Sequence, residues 1–169
     1  MKLIVASSSD RFSLIVNVCS RAFYCFRYLF ENIYTVAKAC NVHYYCPNFP
    51  LRRFKQWSRA MWGIGLALFL IYCTKVLRQT YKDESDLKVA ALNRMTTKEV
   101  LDNLQIICKL RQSYWLNFSR ALLDSIVCFE ENDLPSLMLG KRLNPGFEGL
   151  CGIGSAAIYL FGLKGVILN

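Results

Sequence analysis

The chain has 169 residues, 54% of them hydrophobic and 14% aromatic, with 21 Lys+Arg against 12 Asp+Glu and a formal net charge of +9. That length suits one domain, the apolar content is rich for a soluble one, and the basic excess points to phosphate-bearing partners. The basic residues flank apolar runs and form no separate hydrophilic face with exposed aromatics, so anionic membrane lipid is expected as a partner and nucleic acid is not.

The opening MKLIVASSSD reads as an unstructured lead. Its apolar run is too brief for a secretory signal and Asp10 and Arg11 follow at once, so a cytosol-facing N-terminus is expected. From Arg11 to Asn41 the sequence contains neither Gly nor Pro, which permits one helix over 11–41. Asn17, Ser20, Tyr24, Arg27, Glu31, Thr35 and Lys38 recur at steps of three or four, placing them on one narrow stripe with Arg21 at its edge. The rest of that helix is Phe, Leu, Ile, Val and Cys. A face so wide suits a helix lying in the membrane interface or one packed among other helices. Pro47 and Pro50 then force a tight extended connection.

Ala60 to Thr74, AMWGIGLALFLIYCT, is uncharged and closed by Arg59 on one side and by Lys75 and Arg78 on the other. Fifteen residues cover less than the roughly 30 Å hydrocarbon core. With Arg59 and Lys75 bending outward, however, a hydrophobic span over 57–77 becomes long enough. Arg52, Arg53, Lys55 and Arg59 with Trp57 and Trp62 stand where headgroup-level residues belong. The competing reading is a buried core helix of a soluble bundle. Lys82 to Asp86, KDESD, reads as a solvated loop.

Thr96 and Glu99 match the capping-box spacing and open an amphipathic helix over 96–129, too charged to span. Pro135, Gly140, Pro145 and Gly146 punctuate the next break. A glycine-rich apolar segment over 146–168 follows, in which Gly149 to Leu163 carries no charge and Lys164 must snorkel for it to cross a bilayer. Gly149, Gly152 and Ala156 fall at steps of three and four and would let a neighbouring helix approach closely, Ala60–Thr74 being the expected partner.

No constellation for catalysis emerges. Cys40, His43 and Cys46 share a C-x2-H-x2-C spacing, but a structural zinc site needs four ligands and no fourth is near. Gly152 to Ala157, GIGSAA, matches a dinucleotide fingerprint by letter but lacks the following strand and acidic residue. The eight cysteines form no CxxC pair and read as reduced, small hydrophobes. No enzyme activity, cofactor or metal is expected.

Several stretches carry a family resemblance. DLPSLMLGKRLNPGFEGLCGIGSAAIYLF resembles the C-terminal pattern of the peroxisomal membrane protein 11 (peroxin-11) family, with Gly146, Gly149 and Gly152 carrying the Gly-x-x-Gly-x-x-Gly spacing. RRFKQWSRAMWGIGLALFLIYCTKVLRQ is similar to the basic, Trp-containing approach to that family's first hydrophobic span, and NIYTVAKACNVHYYC to the segment before it. The resemblance covers about 29–163. It implies a peroxisomal membrane protein that self-associates, elongates and tubulates the organelle and engages dynamin-type fission machinery with its membrane adaptor, both termini cytosolic. A non-selective metabolite pore has also been proposed for the family.

MKLIVASSSD does not resemble the family's N-terminal portion, so the chain reads as an N-terminally shortened member. Arg21, Arg27 and Lys38 are then expected to hold the first helix on anionic headgroups while its apolar face spreads one leaflet. Together these readings predict an all-α fold, a membrane-associated helical bundle over 1–169 with two hydrophobic membrane segments and two amphipathic helices. The alternatives are a pore lined by the helix over 96–129 and a soluble helical adaptor.

Overall fold

The computed structural model describes the backbone of residues 11–93, 97–132 and 144–167, and side chains over 11–42, 44–89, 98–132 and 144–162. The lead 1–10, Thr96 of the predicted capping box and most of the break before Pro145 lie outside the described residues, as do the side chains of His43 and Lys164.

The described fold is all-helical. Helix α1 spans Arg11–Ala39, where no Gly or Pro interrupts it. Asn41 ends it in the left-handed region (φ 49°), a conformation Asn tolerates better than most side chains, and the single-turn helix α2, Val42–Tyr45, follows. Pro50 immediately precedes α3, Leu51–Asn93, where a missing amide proton costs no helical hydrogen bond.

Helix α3 departs from the sequence reading. Lys82 to Asp86, expected as a loop, continues the same helix without a break. Every residue there tolerates helix, and spacing-four contacts support it: Gln79 donates to Asp83 at 2.8 Å and Lys88 meets Glu84 at 2.8 Å. The apolar run of 57–77 is therefore the first part of a helix about 65 Å long, twice a hydrocarbon core.

Helix α4, Thr97–Glu131, carries Glu99 in its first turn. Helix α5, Pro145–Ile167, begins with proline at the first helical position, and the Asn144 side chain accepts the Gly146 amide at 2.9 Å as an N-cap.

The long helices pack serially and antiparallel: α1 on α3, α3 on α4, α4 on α5. The α1–α3 register is fixed by Ser20, whose buried hydroxyl donates to the Gly65 carbonyl at 2.9 Å, and by Ser58 donating to the Arg27 carbonyl at 3.3 Å. Gly63 and Gly65 are about 200° apart on the helix, on nearly opposite flanks. A Cβ on Gly65 would lie 3.4 Å from Phe23 of α1, and one on Gly63 would lie 3.5 Å from the Cys128 sulfur of α4. The pair lets α3 sit close to both neighbours. Trp62, Leu66, Ala121 and Cys128 form the core there, with Tyr24, Phe69, Leu70 and Val127 against them.

The C-terminal helix does not pack on Ala60–Thr74. It packs on α4, through Cys151, Gly154 and Ser155: a Cβ on Gly154 would meet Leu123 at 3.1 Å, and the buried Ser155 hydroxyl donates to Asp124. Gly149 and Gly152 face open space and Ala156 is exposed. Burying Ser155 against a carboxylate selects the face that satisfies both polar groups, and the Gly149–Gly152–Ala156 side is turned outward.

Candidate membrane-facing surface

Antiparallel packing aligns the helices by level. Phe12 lies beside Lys75 (4.5 Å from the ring centroid to Nζ) and Phe30 beside Trp57 (5.6 Å), so α1 residues 12–30 run alongside α3 residues 57–75. That stretch is about 28 Å long, close to the hydrocarbon thickness of a bilayer. At this level every long helix turns large apolar side chains outward. On α1 these are Phe12, Leu14, Ile15, Val18, Phe26 and Leu29; on α3, Ile64 and Ile71; on α4, Leu122 and Phe129; on α5, Phe147, Leu150 and Ile153. An outward apolar band this continuous is uncharacteristic of a water-exposed monomer.

Among the described residues one helix is long and apolar enough to cross a membrane, over Leu51–Val89 of α3, and 28% of its apolar window is buried. A core helix of a soluble bundle would be mostly buried. The short window of α5 does not qualify among the described residues.

Polarity inside the band runs the other way. The middle of the predicted stripe on α1 points inward: Ser20 is wholly buried, Tyr24 touches the core and Arg27 is largely covered, whereas Glu31, Thr35 and Lys38 farther along are exposed. The Arg27 guanidinium lies 3.9 Å over the Trp62 ring and 3.6 Å from Glu31. Arg27, expected on headgroups, is thus mostly covered and turned toward α3, where stacking on the buried indole stabilises its charge. Trp62 is corrected likewise, from an interfacial aromatic to a core residue 8% exposed. Arg59, about 29% exposed in its side chain, lies 3.7 Å from Glu131 of α4. Arg120 lies 3.7 Å from Asp124 and 4.9 Å over the Tyr159 ring of α5. Arg59 and Arg120 thus pair with carboxylates of α4, the arrangement in which charges are tolerated at membrane depth. Arg21 is exposed and donates to Asn17 at 3.3 Å.

Both ends of the band are basic. At one end the α1–α3 turn gathers Lys38, Arg52, Arg53 and Lys55, all exposed, and the sequence from 32 to 82 itself contains no Asp or Glu. Trp57, 47% exposed, lies tilted against Phe30 and edge-on to Phe54, and Lys55 reaches to 5.7 Å from the Tyr34 ring. Tyr44 and Tyr45 stand 84% and 77% exposed at the tip. Cations with half-exposed aromatics are the composition of a headgroup layer. The other end carries Arg11, Lys75 and Arg78. Beyond it the charged part of α3 pairs with α4 through Arg111 on Glu84 and Trp115 on the Tyr81 hydroxyl at 3.3 Å, while the Tyr72–Tyr114 hydroxyl pair at 2.9 Å joins the two helices inside the band.

The residues that sequence reasoning missed are the ones that close the helices together: Gly63, Gly65, Asp124 and Ser155. The W-G-I-G spacing at 62–65 was the available signal, since glycines two apart on a helix serve two neighbours. Of the Cys40–His43–Cys46 spacing, Cys40 and Cys46 are exposed free thiols, and the His43 side chain lies outside the described residues.

The family model described as Peroxisomal biogenesis factor 11 (PEX11) matches residues 1–163, from the first residue through most of α5. No curated protein and no solved structure matches the chain.

Proposed function

The chain belongs to the peroxisomal biogenesis factor 11 family, and from that premise we propose that it is an integral protein of the peroxisomal membrane that promotes elongation, proliferation and fission by self-association and curvature generation. The observation that carries this reading is the outward apolar band, about one hydrocarbon thickness deep, with basic residues at both ends and with Arg59 and Arg120 paired to carboxylates of α4, Arg21 being an exposed cation within it. The α1–α3 tip holds anionic headgroups through Lys38, Arg52, Arg53 and Lys55, with Trp57 at the same level.

The start of α1 and the end of α5 lie at the same end of the bundle, which fits termini on one face, the cytosolic one by family resemblance. Self-association would use the exposed Gly149–Gly152–Ala156 side of α5, and recruitment of dynamin-type machinery through its membrane adaptor would follow from the same resemblance. A pore is less well supported within one chain, because polar side chains of α4 are engaged with α3 and α5 through Tyr114, Arg111, Asp124 and Glu131.

Extraction of organelle membranes with alkaline carbonate tests the reading. The protein is expected to remain in the pellet; release into the supernatant would replace an integral protein with a soluble helical adaptor.

A further inference from the structure

We propose that Cys40 and Cys46, in the α1–α3 tip, are S-acylation sites that take a long-chain acyl group from an acyl-coenzyme A thioester. The inference rests on the membrane reading above. The two thiols bracket the single-turn helix α2: Cys40 follows the end of α1, its amide donating to Val36 at 2.9 Å, and Cys46 closes α2, its amide donating to Val42 at 2.7 Å. Both are free and exposed.

Depth is what singles them out. An acyl-coenzyme A donor has a chain that stays in lipid and a polyanionic half that stays in water, so its thioester sits at the headgroup layer. A thiol acquires the acyl group where both halves are accommodated. Cys73, Cys128 and Cys151 are buried in the bundle. Cys19 and Cys25 are exposed on the apolar band, where the phosphates cannot follow. Cys108 is exposed on the part of α4 that pairs with the charged half of α3, beyond the band. Cys40 and Cys46 lie at the aromatic and basic edge, and the exposed Lys38, Arg52, Arg53 and Lys55 supply positive charge for the donor's phosphates.

The step is a thioester exchange. The cysteine sulfur attacks the thioester carbonyl carbon, a carbon–sulfur bond to the protein forms as the one to coenzyme A breaks, and the cysteine proton leaves with coenzyme A as its free thiol. No oxidant or reductant is consumed. The attached chain enters the leaflet next to the tip, giving a second anchor beside the basic patch.

Acyl-for-polymer exchange on the full chain expressed in cells tests this: free thiols are blocked, thioesters are cleaved with hydroxylamine, and each released thiol adds a polymer tag visible as a mass step. The native chain is expected to show steps for both sites, Cys40→Ser and Cys46→Ser to lose one step each, the double variant to lose all, and Cys128→Ser to keep both. Absence of any hydroxylamine-dependent step in the native chain, or persistence of the steps in the double variant, would overturn the proposal. Carbonate extraction of the same samples separates the two ideas: no step with the chain still in the pellet refutes acylation alone, and no step with the chain released refutes the membrane reading as well.

Discussion

Gly65→Leu is expected to separate α1 from α3 and to destabilise the bundle by about 2–3 kcal/mol, the upper part of the range for overpacking a close contact. A Cβ at that position already stands 3.4 Å from Phe23 and 3.5 Å from the Ser20 carbonyl, so the rest of a leucine has nowhere to go without moving α1. Moving α1 also removes the buried Ser20 hydroxyl from its Gly65 acceptor and uncovers Arg27 from the Trp62 ring. Gly149→Leu is the matched control: its side chain enters open space within the chain, and stability should change by no more than about 0.5 kcal/mol. Denaturant unfolding of the purified protein in mild detergent, read from tryptophan fluorescence because Trp62 lies in the core, measures both. Equal midpoints for the two variants would remove Gly65 from its assigned role.

Reversing the tip charges should have the largest functional effect. A basic side chain near an anionic surface contributes about 1 kcal/mol, so Arg52→Glu/Arg53→Glu/Lys55→Glu should weaken headgroup binding by on the order of 100-fold or more. These three side chains are exposed and none packs in the core cluster, so the fold should be unaffected. In reconstituted vesicles containing phosphatidylserine, the native chain is expected to draw tubules and the triple variant to insert equally but leave the vesicles round. Arg27→Glu serves as a contrast, because it acts by uncoupling an internal contact and should lower stability as well as tubulation. Tubulation by the triple variant at the native level would show that the tip is not the anchoring surface.

Much of this architecture is legible in the sequence, and the places where it is not share a cause. Periodicity groups residues by face, and the α1 stripe of Ser20, Tyr24 and Arg27 is indeed one face. It does not say which way the face points. A water-solvated helix turns such a stripe outward, whereas here the apolar side is outside and the stripe meets α3, so Arg27 and Trp62 change from surface to interior. Composition likewise misjudges Lys82–Asp86: charge reads as loop, but the absence of Gly and Pro and the contacts of Glu84 with Lys88 and Arg111 keep it helical. Small-residue spacing singled out Gly149, Gly152 and Ala156 on α5, yet that side is turned outward, and the packed side was chosen by Ser155 and Asp124, a pairing between helices that no local pattern contains. The helix ends were easier, because Pro50, Pro145 and Asn144 act through the backbone within a few residues.

The outward apolar band is tested most directly by the chain's own cysteines. Cys19, Cys25 and Cys108 are all exposed in the folded chain, but the first two lie on the band and the third lies beyond it. In vesicles opened so that both faces meet the reagent, a charged, water-soluble maleimide followed by peptide mass spectrometry should label Cys108 and leave Cys19 and Cys25 unmodified, while all three react after denaturation. Labelling of Cys19 and Cys25 as fast as Cys108 in the intact membrane would place α1 in water and contradict the lipid-facing band.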